Sequence, residues 1–233
     1  MRRSSFLLCL VFIFLECHFP TVRMDKFEVH GIDVSHHQSR IAWDSIQAAQ
    51  IHFAFVKATE GGDWRDSLFC YNWEEMEHAK LIRGAYHFYR PARSPHLQAI
   101  NFLEQVHLEV GDLPPVLDVE ITDGVSKEAL IAGIKIWLLE MELHFNVKPI
   151  IYTNLKFYYQ YLAGQFEDYP IWIARYRERE PKLAAGKDWD FWQYGNRGRL
   201  AGINGDVDFN VFKGTIEELE SYCIQSNVFS FAF

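Results

Sequence analysis

The chain has 233 residues, 49% of them hydrophobic and 16% aromatic, with 31 Asp+Glu against 23 Lys+Arg for a formal net charge of −8. A chain of this size buries enough surface for one large globular domain without a disulfide scaffold, which excludes a disordered, collagenous or coiled-coil protein. The acidic balance argues against a partner recognised through its nucleic-acid phosphates.

Arg2 and Arg3 precede an apolar run from Phe6 to Leu15, the length of a signal h-region and short for a membrane span. Residues 1–24 therefore read as an export signal. Glu16, Cys17, His18 and Phe19 supply no small-x-small cleavage site, which leaves a retained N-terminal anchor as the alternative. Beyond this segment Cys70 and Cys223 remain, either as one bond or as two separate thiols, with no CxxC or zinc spacing.

From residue 28 to 222 short apolar runs alternate with longer amphipathic ones, the signature of βα units, and residues 223–233 are left as a tail. Eight strands are expected: Glu28–Val34, His52–Lys57, Gly84–Phe88, Pro115–Glu120, Pro149–Thr153, Pro170–Ala174, Asp190–Tyr194 and Val207–Val211. Helical patterns fill the intervals at Trp43–Gln50, Ser67–Lys80, Pro95–Leu108, Ser126–Phe145 and, more briefly, Leu155–Ala163. Ser126 is placed to cap the long helix, with Glu128 in its acid-favouring first turn. The last three strands are joined by Pro-, Gly- and charge-rich segments. The expected fold class is α/β, a single TIM-like barrel with an incomplete outer ring of helices.

Chemistry in parallel barrels gathers at the C-terminal strand ends, and here those ends are acidic. Asp33 closes the first strand, Asp118 and Glu120 the fourth, and GDVDFN, with Asp206 and Asp208, ends the eighth, with Asp206 read as a turn residue. Asp118 and Glu120 stand two apart on an extended segment, so both face one side, roughly 6.6 Å apart by strand rise. Two carboxyls in an apolar barrel repel, and burial adds to the cost, so one keeps its proton near neutral pH. A protonated carboxyl beside an ionised one suits acid-catalysed glycoside cleavage, whereas any single acid could equally be a strand-end cap or ion-pair partner.

The motifs GIDVSHHQ, FAFVKATEGGDWRD, GAYHFYRP, PVLDVE, IIYT, PIWIARY, FWQY and VDFNVF follow in order from about Gly31 to Phe212. Together they resemble glycoside hydrolase family 25, the N-acetylmuramidase lysozymes. The resemblance implies a flattened barrel of five βα units followed by three strands with few helices, and cleavage of the β-1,4 bond between N-acetylmuramic acid and N-acetylglucosamine. It also implies catalytic positions at Asp33, Asp118, Glu120 and Asp208, with Glu120 the acid/base. Asp118 is then placed to orient a group or hold charge, and retaining, inverting and substrate-assisted routes all stay open. Two departures concern substrate fit: Ser39 stands where Pro or Gly is common, and Trp64 where Tyr or Phe is usual.

Sugars need aromatic faces and planar polar partners. Among Tyr86, Phe88, Tyr89, Tyr152, Trp172, Tyr176, Gln193 and Tyr194, all at or near strand ends, strand alternation lets about half face the cleft; Tyr86, Tyr152, Trp172 and Gln193 are favoured. Lys57 and Glu60 could pair with each other or meet the peptide or carboxylate part of a muramyl unit. His36 and His37 lack further ligands at metal spacing, so no metal or other cofactor is expected. The expected partner is the glycan strand of peptidoglycan, met by an exported monomer. Alternatives of other classes are a wall-binding barrel without turnover and a chitinase-like hydrolase of N-acetylglucosamine polymers.

Overall fold

The computed structural model describes residues 26–226. The signal or anchor reading of residues 1–24, and the tail beyond 226, lie outside the described residues. Among the described residues nine strands form: β1 (Val29–Val34), β2 (Phe53–Glu60), β3 (Trp64–Arg65), β4 (Ile82–Phe88), β5 (Val116–Asp118), β6 (Ile150–Asn154), β7 (Ile171–Ala174), β8 (Phe191–Gly198) and β9 (Val207–Phe212). Parallel pairing runs β1–β2–β4–β5–β6–β7–β8, and β9 closes the ring by pairing antiparallel with both β8 and β1. The result is an eight-stranded closed barrel with β3 added as a hairpin on β2.

Five helical segments follow the first strands: α1 (Trp43–Ala48), α2 (Phe69–His78), α3 (Pro95–Gln105), α4 (Lys127–Phe145) and α5 (Leu155–Phe157), which runs on into a π-helical turn at Tyr158–Leu162. Ser126 caps α4 by accepting from the Ala129 amide at 3.2 Å, satisfying one of the amides a helix start leaves open. The connections after β7 and β8 hold no α-helix, which gives the flattened α/β barrel of five βα units and three helix-poor strands expected above. One helix falls outside that expectation. α6 (Ile216–Tyr222) starts with a reciprocal capping box between Thr215 and Glu218 and sends Leu219 into the barrel interior. That interior continues to Cys223, and the Ile224 amide donates to the Asp112 carbonyl at 2.8 Å.

Strand alternation sorts the side chains into two layers. Val29, Phe53, Phe55, Val116, Ile150, Trp172, Phe191 and Phe212 fill the barrel, while Ile32, Ala54, Val56, Leu117, Ile151 and Ile173 pack outward under the helices. Two glycines make room for the interior rings. A Cβ on Gly31 would sit 2.3 Å from the Phe53 ring, and one on Gly84 would sit 2.3 Å from the Phe55 ring. Phe55 thereby reaches across to stack on Trp172, ring centroids 4.3 Å apart, and this pair closes the barrel beneath its C-terminal face. Cys70 and Cys223 are both free thiols, the first exposed and the second buried, which decides between the two sequence readings.

Candidate active site

Above the Phe55–Trp172 floor opens a cavity of about 200 Å³ lined by residues from all eight barrel strands or the turns that follow them. Its walls contain Asp33, Asp118, Glu120, Asp208, Tyr86, Tyr152, Trp172, Gln193 and Lys57, which brings together nine of the ten residues singled out from the sequence. Glu60 stands behind Lys57. Larger hollows of about 780 Å³ beside Trp189 and about 540 Å³ beside His30 contain none of this acid cluster.

Asp208 reaches the site by a route the sequence did not suggest. Strand-end logic assumed parallel strands, but β9 is reversed, so Asp208 lies near its beginning and is still level with Asp33, its direct register partner on β1. Like charges directly opposite one another are destabilising. The pair is kept by a hydrogen bond between the two carboxyls and by donors from below: Gln193 Nε2 at 2.8 Å and Asn210 Nδ2 at 2.7 Å, both to Asp33 Oδ2. Burial and the Asp208 charge push Asp33 well above the usual carboxyl range, and burial pushes Asp208 up to about 6. Asp33 is then the member that holds the shared proton.

The donors to Asp33 are themselves held. Gln193 accepts from the Tyr152 hydroxyl at 2.9 Å and the Tyr176 hydroxyl at 2.7 Å, and Asn210 accepts from Trp172 Nε1 at 2.8 Å. Tyr152, Trp172 and Gln193 line the cavity, yet they are at most 7% exposed and their polar atoms are committed to this network. Their direct effect is to fix the Asp33 carboxyl. Asn210 was missed and Tyr176 was named without being favoured, although strand parity signalled both: Asn210 is two residues from Asp208, and Tyr176 two beyond Ala174.

The second acid pair stands on the opposite wall. β5 ends at Asp118, and Glu120 lies just beyond it, less buried and hydrogen-bonded by Asn154, the residue that also caps α5. Burial is the main cause raising both carboxyls, with Glu120's charge the next contribution at Asp118, which is held well above its ordinary value. Asp118 Oδ1 is buried with no hydrogen-bond partner.

Lys57 and Glu60 are three apart, a spacing that puts side chains on opposite faces of a regular strand. A bulge in the β2–β4 pairing at Ala58 returns both to the cleft face, an instance of a bulge re-aiming side chains beside a site. Lys57 Nζ donates to Glu60 Oε2 at 2.7 Å and lies 4.8 Å from the Trp64 ring and 4.9 Å from the Phe88 ring. Its ammonium and the Arg90 guanidinium hold the Glu60 carboxyl below its ordinary value against the opposing effect of burial, which is the largest single contribution. Nearby His36 is bound to the Asp66 carboxylate through Nδ1 at 2.8 Å, and Ser35 and His37 complete the rim.

A family model described as glycosyl hydrolases family 25 matches residues 32–203, a span that contains three of the four acids. The chain belongs to glycosyl hydrolase family 25. This family 25 protein is 34% identical over 213 residues to lysozyme M1 of Streptomyces globisporus, with 84% of this chain and 71% of that protein covered. It is 44% identical to the YegX protein of Escherichia coli K12, covering 84% of this chain and 74% of the other. Among solved structures, a family 25 glycosyl hydrolase of Bacillus anthracis superposes with a TM-score of 0.81 at 33% identity, over 86% of this chain and 95% of that one. The family 25 chain is accordingly a glycoside hydrolase of lysozyme type.

Proposed function

We propose that this family 25 enzyme cuts peptidoglycan between N-acetylmuramic acid and N-acetylglucosamine, with Glu120 as general acid/base and Asp118 as the partner of the substrate's acetamido group. The observation that carries the reading is the unpartnered Oδ1 of Asp118 beside the less buried Glu120. A buried carboxylate oxygen with no donor is costly, and a substrate amide N–H supplies the missing one.

That contact also moves the proton. In the free site Asp118 is raised further than Glu120, so it holds the proton more tightly. An amide N–H donated to Oδ1 favours the ionised form of Asp118, and the proton of the pair then resides on Glu120, the acid nearer the cleft mouth. Glu120 protonates the glycosidic oxygen as the C1–O bond breaks, while the acetamido oxygen forms a bond to C1. Asp118 faces the positive charge on the resulting oxazolinium ring. The Glu120 carboxylate next takes a proton from the water that adds to C1, which reopens the ring and restores the acid. Asp33 and Asp208, sharing one proton, supply negative potential from the far wall.

The same reading takes residues 1–24 as an export signal and the wall glycan as the partner, met by a monomer. Digestion of purified peptidoglycan tests it. New reducing ends on muramic acid support the proposal; reducing-end glucosamine, preferential cleavage of chitin oligomers, or free peptides alone would refute it.

A further inference from the structure

Among the described residues only two aromatics stand exposed beside the acid cavity and yet touch its walls: Trp64, 38% exposed, and Tyr176, 48% exposed. Neither lines the cavity itself. Each has a defined hold on it. Trp64 lies opposite Glu60 in the β2–β3 hairpin, with its ring against Lys57 and 5.4 Å from the His36 ring. Tyr176 follows β7 and directs its hydroxyl inward to Gln193, leaving the ring at the rim.

Their positions around the barrel are related. Between β2 and β7 lie β1, β9 and β8 on one side and β4, β5 and β6 on the other, so the two strands are diametrically opposed. Asp33 and Asp208 belong to the first side, Asp118 and Glu120 to the second. A line from Trp64 to Tyr176 therefore passes between the two acid pairs. One exposed aromatic is ordinary. Two on a diameter that separates the catalytic acids are aligned with the path of a linear substrate.

The support under Trp64 is rigid. Buried Asn101 donates from Nδ2 to the carbonyls of Gly61 and Trp64, each at 3.1 Å, and Arg90 ties Glu60 to Asp123 through ion pairs at 3.1 and 2.9 Å. A flat apolar ring on a pinned hairpin is preorganised, so little conformational entropy is lost when a sugar stacks on it. We propose that Trp64 and Tyr176 are sugar-binding platforms beyond the acid cavity, and that the glycan strand lies along the axis joining them. This rests on the muramidase reading above and adds the direction of the substrate and a preference for long strands.

The test compares long solubilised glycan strands with an aryl glycoside of one N-acetylglucosamine–N-acetylmuramic acid disaccharide, which is too short to span both platforms. Trp64→Ala and Tyr176→Ala should each raise KM for long strands about tenfold, the size of one good aromatic contact, and the double variant about a hundredfold. The disaccharide glycoside should show a far smaller rise, and Trp64→Phe should keep most of the affinity. Trp64→Leu retains apolar bulk over Lys57 without a flat ring, so it carries the test if Trp64→Ala does not fold. Leu143→Ala, on the outer face of α4, should match the wild type on both substrates. Equal losses on long and short substrates, or none on long strands, would overturn the platforms while the muramidase reading stands. A wild-type chain inert on both substrates would overturn that reading and this one with it.

Discussion

The two walls of the cleft carry the same chemical groups in opposite conditions. On the β1/β9 wall Asp33 receives two amide donors and shares a proton with Asp208, and the donors are in turn held by Tyr152, Tyr176 and Trp172. On the β5 wall Asp118 has a buried oxygen with no partner, and Glu120 has only Asn154. A saturated network resists change in protonation and position; an unsaturated one is completed by whatever binds. Under the proposed mechanism, the contrast separates an acid pair that shapes the field from a pair that reacts.

The largest effect should come from the β5 wall. Glu120→Gln cannot donate to the leaving oxygen, so turnover on peptidoglycan should fall by about 10² to 10⁴ with binding retained. Asp118→Asn should be similarly severe, because an amide cannot face the oxazolinium charge. A substrate with an activated leaving group should recover much of the rate in the Glu120 variant and little in the Asp118 variant; equal rescue would erase the division of roles.

A smaller effect is expected across the cleft, in stability. The Asp208 carboxyl is pushed up to about 6 from 3.8, so the folded state binds its proton more tightly than the unfolded state does. Its contribution to stability is complete below about pH 4 and is lost as pH rises through 6. Asp208→Asn needs no proton, and should exceed the wild type in stability by about 1–2 kcal/mol at pH 7.5 and match it at pH 4. Denaturant unfolding at the two pH values measures this, and a pH-independent difference would contradict the shared-proton account.

The smallest effect lies at the edge of the same wall. Ser39 adopts φ 57° and ψ −156°, a region suited to glycine, immediately after the short helical turn His36–Gln38. Ser39→Gly should stabilise the fold by about 1 kcal/mol, read as a rise in Tm without change in kcat. On this account the Ser39 departure carries backbone strain as well as any effect on substrate fit, and unchanged stability in the variant would reject that explanation.

Much of the site was legible because side-chain parity along a strand survives errors in strand boundaries. Asp33, Asp118, Tyr152, Trp172, Gln193 and Asp208 each lie an even number of residues from an interior apolar position, and all line the cavity. Boundaries were less secure: β5 stops at Asp118, two residues before the expected end, and α6 was not foreseen despite the Thr215–Glu218 box. The shared cleft face of Lys57 and Glu60 was hidden because it depends on the bulge at Ala58, which arises only when β2 is paired with β4.

By itself the sequence determined the barrel class, the five βα units and the inward face of every acid, because apolar periodicity and strand alternation are local properties of the chain. Tertiary structure decided the direction of β9, the assignment of four similar carboxyls to a saturated and an unsaturated wall, and the diameter joining Trp64 to Tyr176. Each depends on which strands become neighbours when the sheet closes. Closure is a property of the whole ring, and no segment read alone contains it.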